Sequence, residues 1–268
     1  MDKKYKVNIK LLGGIGNNLF QIACAYAYSL KHNCELVLFK EKFGATHGSF
    51  DSYSSNVLRN INFSDPNTIK QLSQYQEPFF NYQEIPGFNV DLQLNGYFQT
   101  ELYFKEYSQE ILDLFSYPDN FIESIKKEYS DLLNLNACSM HVRRGDYVHQ
   151  PENHPTQSMN YYMKAIKQMP SDSIFLIFSD DIEWCKQNFP DLPEKFYFIE
   201  GNKDFEDLFL MTQCKNNIIC NSSFSWWGAW LNKNQDKKII APLYTRWVGQ
   251  ALSNLDTKDV IPKNWIQL

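Results

Sequence analysis

The sequence has no Cys-x-x-Cys pair, no His-Glu-x-x-His, no Asp-x-Asp and no excess of basic residues, and each absence removes a class of protein. Its six cysteines, Cys24, Cys34, Cys138, Cys185, Cys214 and Cys220, are scattered along 268 residues. A chain of that length builds a core without a disulfide framework, so they read as reduced core thiols. His141, His149 and His154 lie near one another in sequence, but no recognised ligand spacing accompanies them and no metal site is expected. Without Asp-x-Asp, one common way of holding a divalent ion against a nucleotide diphosphate is also missing. With 26 Lys and Arg against 31 Asp and Glu, the formal net charge is -5. That balance argues against a surface built to grip nucleic acid or acidic lipid non-specifically, so any basic site has to be local.

Long apolar runs are missing too. Residues 11–30 carry no charge, yet Gly13, Gly14, Gly16, Asn17, Asn18 and Gln21 fall in the first half of the segment, where buried amides would be costly in hydrocarbon. No transmembrane segment is expected. The first ten residues lead directly into a β-like run, with no apolar stretch before a small-residue cleavage site, so a cytoplasmic location is the expectation. What is present is the composition of a folded protein: 43% hydrophobic and 21% charged, far from the signature of disorder.

Residues 5–12 read as a strand, the glycines at 13–16 as a loop, and Leu19, Ile22, Ala23, Tyr26, Ala27 and Leu30 as the apolar positions of a helix. A second strand follows at 35–39. From about 40 to 120 the pattern weakens into short aromatic-rich pieces, including 97–104, punctuated by Pro66, Pro78, Pro86 and Pro118. After residue 135 apolar runs alternate with helical periods, predicting strands at 137–142, 174–178, 196–199, 217–220 and 238–241. Helices are predicted at 161–169, 181–189, 205–214 and 224–231, each preceded by a polar residue able to cap its first turn. The fold class is therefore α/β, with two Rossmann-like halves: an N-terminal domain over 1–135 and a C-terminal one over 136–268. No repeat or low-complexity stretch interrupts them.

Four stretches carry chemistry. In the run from Met140 to Tyr147 a strand delivers Arg143 and Arg144 into a loop with Gly145 and Asp146. Ligands of open α/β sheets bind beyond the carboxyl ends of strands, and guanidinium forks suit phosphate oxygens. The alternative is a surface loop in which Asp146 merely pairs with an arginine. In the second, Asn221, Ser222, Ser223, Phe224 and Ser225 join a strand to a helix bearing Trp226, Trp227 and Trp230. Backbone N–H groups at that helix start, with the hydroxyls, would form an anion site. Simple N-capping is the competing explanation, and the tryptophans fit a core face better than a sugar platform.

In the third, the apolar strand from Ile174 ends in Ser179, Asp180 and Asp181. One carboxylate could accept from guanine; the competing explanation is a capping box, since Asp180 and Glu183 have that separation, so one Asp is expected to cap and the other to bind. The fourth, from Gly13 to Gln21, partly matches Gly-x-Gly-x-x-Gly, but Leu19 stands where the last glycine belongs and no acidic residue ends the second strand before Glu41. A nicotinamide dehydrogenase is thus a weak reading. Gly14, Asn17, Asn18 and Gln21 instead line a loop able to hydrogen-bond a sugar, with helix capping as the alternative.

Together these residues resemble the α-1,2-fucosyltransferases of glycosyltransferase family eleven, of the bacterial type. The resemblance rests on the run from Gly13 to Gln21 with its Ala-rich helix, on Gly96-Tyr97-Phe98-Gln99 with Tyr103-Phe104, on His141 to Tyr147, on Tyr161-Tyr162 with Ala165, and on Asn221 to Leu231. The resemblance implies a GT-B fold of two Rossmann-like domains facing across a cleft, the first on the acceptor side and the second binding a GDP-sugar. It further implies transfer of L-fucose from GDP-β-L-fucose to the 2-hydroxyl of a galactose-type acceptor, inverting and metal-independent. His141, Arg143 and Arg144 would face the diphosphate, Asp180 or Asp181 the guanine, and Ser222, Ser223, Phe224 and Ser225 the diphosphate from the helix start. The implied partners are GDP-fucose and a galactoside, with room for peripheral association with a lipid-linked acceptor.

As the bond from the sugar to the β-phosphate breaks, negative charge grows on GDP, and two arginines with a helix end substitute for a cation. For the general base the candidates are Asp146, His154 and a polar group of the first loop. Asp146 is the choice, although the adjacent arginines would stabilise its charge and weaken it as a base, leaving an orienting role toward Arg143. Another nucleotide-sugar donor, or a non-catalytic nucleotide- or glycan-binding relative, are the competing hypotheses.

Overall fold

The computed structural model describes residues 4–39, 50–65, 72–190 and 195–268. Glu41 and Pro66, named above, lie outside them. The chain divides into two compact units, Met1–Pro118 and Asp119–Leu268. The division falls earlier than the expected boundary near 135, because the helices α4 (Asp119–Glu128) and α5 (Ser130–Leu133) belong to the second unit. Phe121 of α4 packs on Phe205 and Phe209, and Tyr129 donates to Asn202 at 2.9 Å.

The first unit begins with β1 (Lys6–Ile9) and α1 (Ile15–Lys31). Gly13 makes the turn between them with φ +76°, and a β-carbon there would stand 2.4 Å from the Asn17 side chain, so the position excludes other residues. The predicted second strand is two short ones, β2 (Glu35–Leu36) and β3 (Leu38–Phe39), which pair into different sheets. Between residues 50 and 118, where periodicity is weak, lie α2 (Phe50–Ser54), β4 (Phe63–Ser64), β5 (Ser73–Gln76), β6 (Leu92–Asn95) and α3 (Ser108–Leu114). The main sheet is parallel in the order β2-β1-β6-β5; β3 and β4 form a separate pair. Strands of two to four residues are too short to show an alternating pattern, which is why the sequence hid them. The aromatic run at 97–104 is no strand but a bend leading into a 3-10 turn, with Phe98 and Phe104 in the core.

In the second unit the predictions hold closely. The strands are β7 (Asn136–Val142), β8 (Ser173–Ser179), β9 (Phe196–Phe198), β10 (Asn216–Ile218) and β11 (Ile239–Ala241), with β12 (Ile266–Gln267) unforeseen. The helices are α6 (Met159–Ile166), α7 (Ile182–Asn188), α8 (Asp204–Gln213) and α9 (Ser223–Trp230). Ser158 and Asp181 cap α6 and α7, accepting from Tyr161 N and Trp184 N, whereas Ser222 places no side chain on the first turn of α9.

The sheet is parallel throughout in the order β12-β11-β10-β7-β8-β9. From β7 the chain builds outward through β8 and β9, then returns to the other side of β7 for β10 to β12. The order reverses between β7 and β10, and open α/β sheets hold ligands at the carboxyl end of such a reversal. The central strands are buried on both faces, with Cys138, Met140, Ile177, Ile218 and Ile240 in one core cluster. All six cysteines are buried free thiols. Trp226 and Trp227 are fully buried, and the Trp226 indole donates to Val260 O at 2.9 Å, so the core alternative holds for them. No helix among the described residues is long and apolar enough to cross a membrane.

Helix α9 is held against α8 at Gly228, where a β-carbon would stand 2.8 Å from the Met211 Cβ. Gly228→Ala is expected to destabilise the protein by about 1–3 kcal/mol through overpacking, measured by urea unfolding. A variant as stable as the parent would show that the helices separate freely.

Candidate functional site

The carboxyl end of β7 and the loop after β8 bring the predicted charges together. Arg143 donates to Asp146 Oδ1 at 2.6 Å and lies 3.0 Å from Asp180 Oδ2. Arg144 Nε donates to Asp181 Oδ2 at 2.9 Å, its backbone N–H donates to Asp180 Oδ1 at 2.8 Å, and its guanidinium sits 3.8 Å from the centroid of the Trp184 ring. Gly145 allows this approach, since a β-carbon there would lie 2.4 Å from Asp180 Oδ2. Burial opposes the charge of Arg143, but Asp180 and Asp146 outweigh it and hold the group above its ordinary value. The forks are thus fixed in direction before any ligand arrives, with N–H groups beyond those that meet carboxylates.

The two aspartates differ from expectation. Asp181, not Asp180, caps α7, and Glu183 pairs with Lys186 and closes no capping box. Neither carboxylate stands apart for a base, because each is the counter-charge of an arginine. Two guanidinium groups drawn partly out of water need such partners.

Across the strand-order reversal, β10 leads through Cys220 and Asn221 into α9. The first turn of α9 has no side-chain cap; Ser225 Oγ turns back to Ser222 O at 3.3 Å. The capping alternative for Ser222 is therefore not realised. Asn221 departs from its predicted role as a ligand contact. Its amide donates to Pro155 O at 2.9 Å and Trp247 O at 3.2 Å, and accepts from Gln157 Nε2 at 2.9 Å. It staples the segment before α6 to the helix corner. Phe224 lies 5.6 Å from the His141 ring, and His141 Nδ1 faces Cys220 Sγ at 3.2 Å.

In the first unit, the loop after β1 meets the turn after β6. Gln21 Nε2 donates to Gly96 O at 2.9 Å while its Oε1 accepts from Leu12 N at 3.0 Å, and Gln99 Nε2 donates to Asn17 Oδ1 at 2.8 Å. Gln21 and Asn18 are fully buried, so the expectation that they meet a sugar is corrected: Gln21 and the Asn18 Nδ2 satisfy backbone groups that the glycine loop leaves open, while Asn18 Oδ1 has no hydrogen-bond partner. Gly14 accepts from Asn17 N and Asn18 N at the start of α1. Asn17 remains at the sheet edge, half-buried.

Residues to which the sequence assigned no role of their own support this site. Tyr147 donates to Asn221 O at 3.0 Å, stacks on His154 at 5.0 Å and lies under Arg143 at 5.5 Å. Trp184 and Gln157 complete the set. Their only signal in sequence is proximity to the motifs. Among the described residues no cluster of three His, Cys, Asp or Glu could hold a metal ion; His149 is exposed and His141 is buried on Cys220.

Burial, with Arg143 beside it, lowers His141 to about 3 from 6.5. Its folded value lies below the unfolded one, so the unfolded chain binds the proton first as pH falls. The native state then loses about 1.4 kcal/mol per pH unit below about 6.5 from this group. Unfolding free energies compared at about pH 7 and 5.5 should fall more steeply for the parent than for His141→Gln; equal slopes would contradict a buried neutral imidazole.

The family model described as glycosyl transferase family 11 matches residues 3–268. An alpha-1,2-colitosyltransferase of Escherichia coli is 35% identical, covering 97% of both chains. A galactoside alpha-(1,2)-fucosyltransferase 2 of Gorilla gorilla gorilla is 28% identical over 83% of this chain and 68% of its own. Among solved structures, NodZ alpha-1,6-fucosyltransferase co-crystallized with GDP superposes with a TM-score of 0.55 at 13% identity, covering 84% of this chain and 92% of that one. The parallel α/β units are those of a GT-B fold, and the match across nearly its whole length makes this chain a member of glycosyl transferase family 11.

Proposed function

We propose that the protein transfers L-fucose from GDP-β-L-fucose to the 2-hydroxyl of a galactose-type acceptor, with inversion and without a metal ion. The observation that carries this reading is the pair of fixed guanidinium groups after β7, across the strand-order reversal from the uncapped start of α9. The second unit takes the donor and the first the acceptor. Relatives support the sugar and the linkage: one is named for α-1,2 transfer of fucose to galactosides, and a structural neighbour was crystallised with GDP.

In the reaction the bond from the fucose anomeric carbon to the β-phosphate oxygen breaks, the acceptor oxygen bonds to that carbon from the opposite face, and the acceptor proton passes to a base. Negative charge collects on the departing diphosphate. Arg143 and Arg144, together with the backbone of Ser223, Phe224 and Ser225 and the Ser222 corner, stabilise it where a divalent ion would otherwise act. His141, neutral and buried, supports Phe224 without adding a charge. Asp180 and Asp181 orient the forks. Asp146, 2.6 Å from Arg143, is better suited to orienting that side chain than to taking a proton. Burial lowers the pKa of His154, so its imidazole stays neutral near pH 7 and is the better base candidate of this unit.

A second reading changes the donor sugar. The relative named as a colitosyltransferase is more similar in sequence than the one named as a fucosyltransferase, so colitose is the competing donor.

Incubation with GDP-fucose and a galactoside, followed by mass measurement, should show one added fucosyl group; binding without product would favour a non-catalytic relative. Arg143→Ala should lower turnover by about a hundred- to a thousandfold while leaving the folded circular dichroism spectrum, the loss expected for one preorganised donor worth roughly 3–4 kcal/mol. Full activity in that variant would overturn the assignment. Thermal stabilisation should follow GDP and not UDP, and competition between GDP-fucose and GDP-colitose decides the sugar.

A further inference from the structure

At the carboxyl edge of the first unit's sheet stands an ionisable side chain that no motif flagged. Glu77 directly follows β5. Its Oε2 accepts from Tyr97 N at 2.7 Å, and both its oxygens lie 3.1 Å from Phe98 N. These amides belong to the turn after β6, whose backbone is unusual: Gly96 has φ +158° and Phe98 has φ +51°. At Gly96 a β-carbon would stand 2.4 Å from the Glu77 Cβ and 2.5 Å from Oε2, so only glycine lets the carboxylate come this near. Phe98 in the left-handed region is strained for a bulky residue. What holds it there is its buried ring, 5.2 Å from Tyr103, and the carboxylate on its N–H. The same turn supplies Gly96 O to Gln21 and carries Gln99, which donates to Asn17.

We propose that Glu77 is a positioning residue for the acceptor: its carboxylate clamps the turn at 96–98 and so fixes the Asn17–Gln99 pair against which the acceptor galactoside is aligned. The proposal rests on the assignment of the first unit to the acceptor. Glu77 does not touch the reacting atoms; it acts through the turn.

The clamp is sensitive to pH in a definite direction. Burial pushes the Glu77 carboxyl up to about 7, against the pull of the Phe98 and Tyr97 amides. The titratable groups facing it are Cys24 from α1, Tyr75 from β5 and Tyr103 from the 3-10 turn, all raised by burial and neutral at this pH. Glu77 forms no ion pair among the described residues. Above about pH 7 it is ionised and both amides are held; below that it takes a proton and the hold weakens. Because the folded value is raised, the unfolded chain is the form that binds fewer protons between about 4.5 and 7, so protonation of this group does not destabilise the fold. A loss of acceptor affinity on acidification is therefore separable from unfolding.

The test is Glu77→Gln, which keeps the shape and removes the charge. At about pH 8 the KM for the galactoside should rise about tenfold or more while the KM for GDP-fucose stays within about twofold, as expected for loss of a charge-assisted hydrogen bond on one side only. The parent's acceptor KM should rise between about pH 8 and 6, and the variant's should not. Amide hydrogen exchange at Tyr97 and Phe98 should be faster in the variant, at a melting temperature no lower than the parent's, since the raised carboxyl is not stabilising when ionised. Parent-like acceptor KM and pH profile in Glu77→Gln, or unchanged exchange at both amides, overturns the clamp. If the variant fails to fold, the parent measured at about pH 8 and 6 supplies the same comparison, and a flat acceptor KM rejects it. Should the parent transfer no sugar at all, the functional assignment fails, and exchange at Tyr97 and Phe98 still decides whether the clamp exists.

Discussion

Arg143 is held between two carboxylates, Asp180 at 3.0 Å and Asp146 at 2.6 Å, and the architecture of the second unit follows from the need to keep that cation in place. A guanidinium group only about one-fifth exposed is stable when its counter-charges are close and correctly aimed. Asp180 reaches it because β8 runs parallel to β7 in a register that sets Val142 opposite Ser179. Gly145 leaves the space. Arg144 is fixed by a third carboxylate and by the face of Trp184, so both forks are pre-oriented. Preorganised donors of this kind stabilise developing charge without reorganising at the moment of reaction.

The strand order gives that cation its partner across the reversal. With β10 on the far side of β7, the corner leading into α9 lies next to the loop bearing the arginines, and His141 and Cys220 meet between them at 3.2 Å. Burial keeps both neutral, pushing the thiol up to about 12 and the imidazole down to about 3. The positive character of this edge is thus confined to the guanidinium groups and the helix start, within a chain of net charge -5. The first unit repeats the principle with uncharged groups: its polar edge is built by amides that close a glycine loop, and the half-buried carboxylate of Glu77 faces backbone N–H groups.

Legibility in the sequence tracked the length and regularity of each element. The strand from Asn136 to Val142 and that from Ser173 to Ser179 are continuous apolar runs, buried on both faces, and were readable with the charged residues that follow them. Strands as short as Phe63–Ser64 or Ile266–Gln267 leave no periodic trace, because pairing, not pattern, makes them strands. The boundary near 135 was misplaced since α4 is amphipathic enough to belong to either unit, and only its contacts with Phe205 and Phe209 assign it. Among site residues, the arginines and the serine corner stood out by type. Tyr147, Trp184 and Glu77 did not, because their roles depend on neighbours remote in the chain.

The sequence by itself determined that the protein is a parallel α/β fold with free cysteines, and that two arginines and a helix start lie beyond the carboxyl ends of strands. These follow from local rules: apolar periodicity, turn-forming glycines and the order of charges after a strand. Tertiary structure alone decided how polar groups divide between scaffold and ligand. Gln21, Asn18 and Asn221 looked available and are buried in bonds to backbone, while Asp180 and Asp181 looked separable and are both tied to arginines. The reason is that buried donors and acceptors are nearly all paired, Asn18 Oδ1 being an exception among the described residues, and which partner each finds depends on strand register and loop approach, not on spacing along the chain.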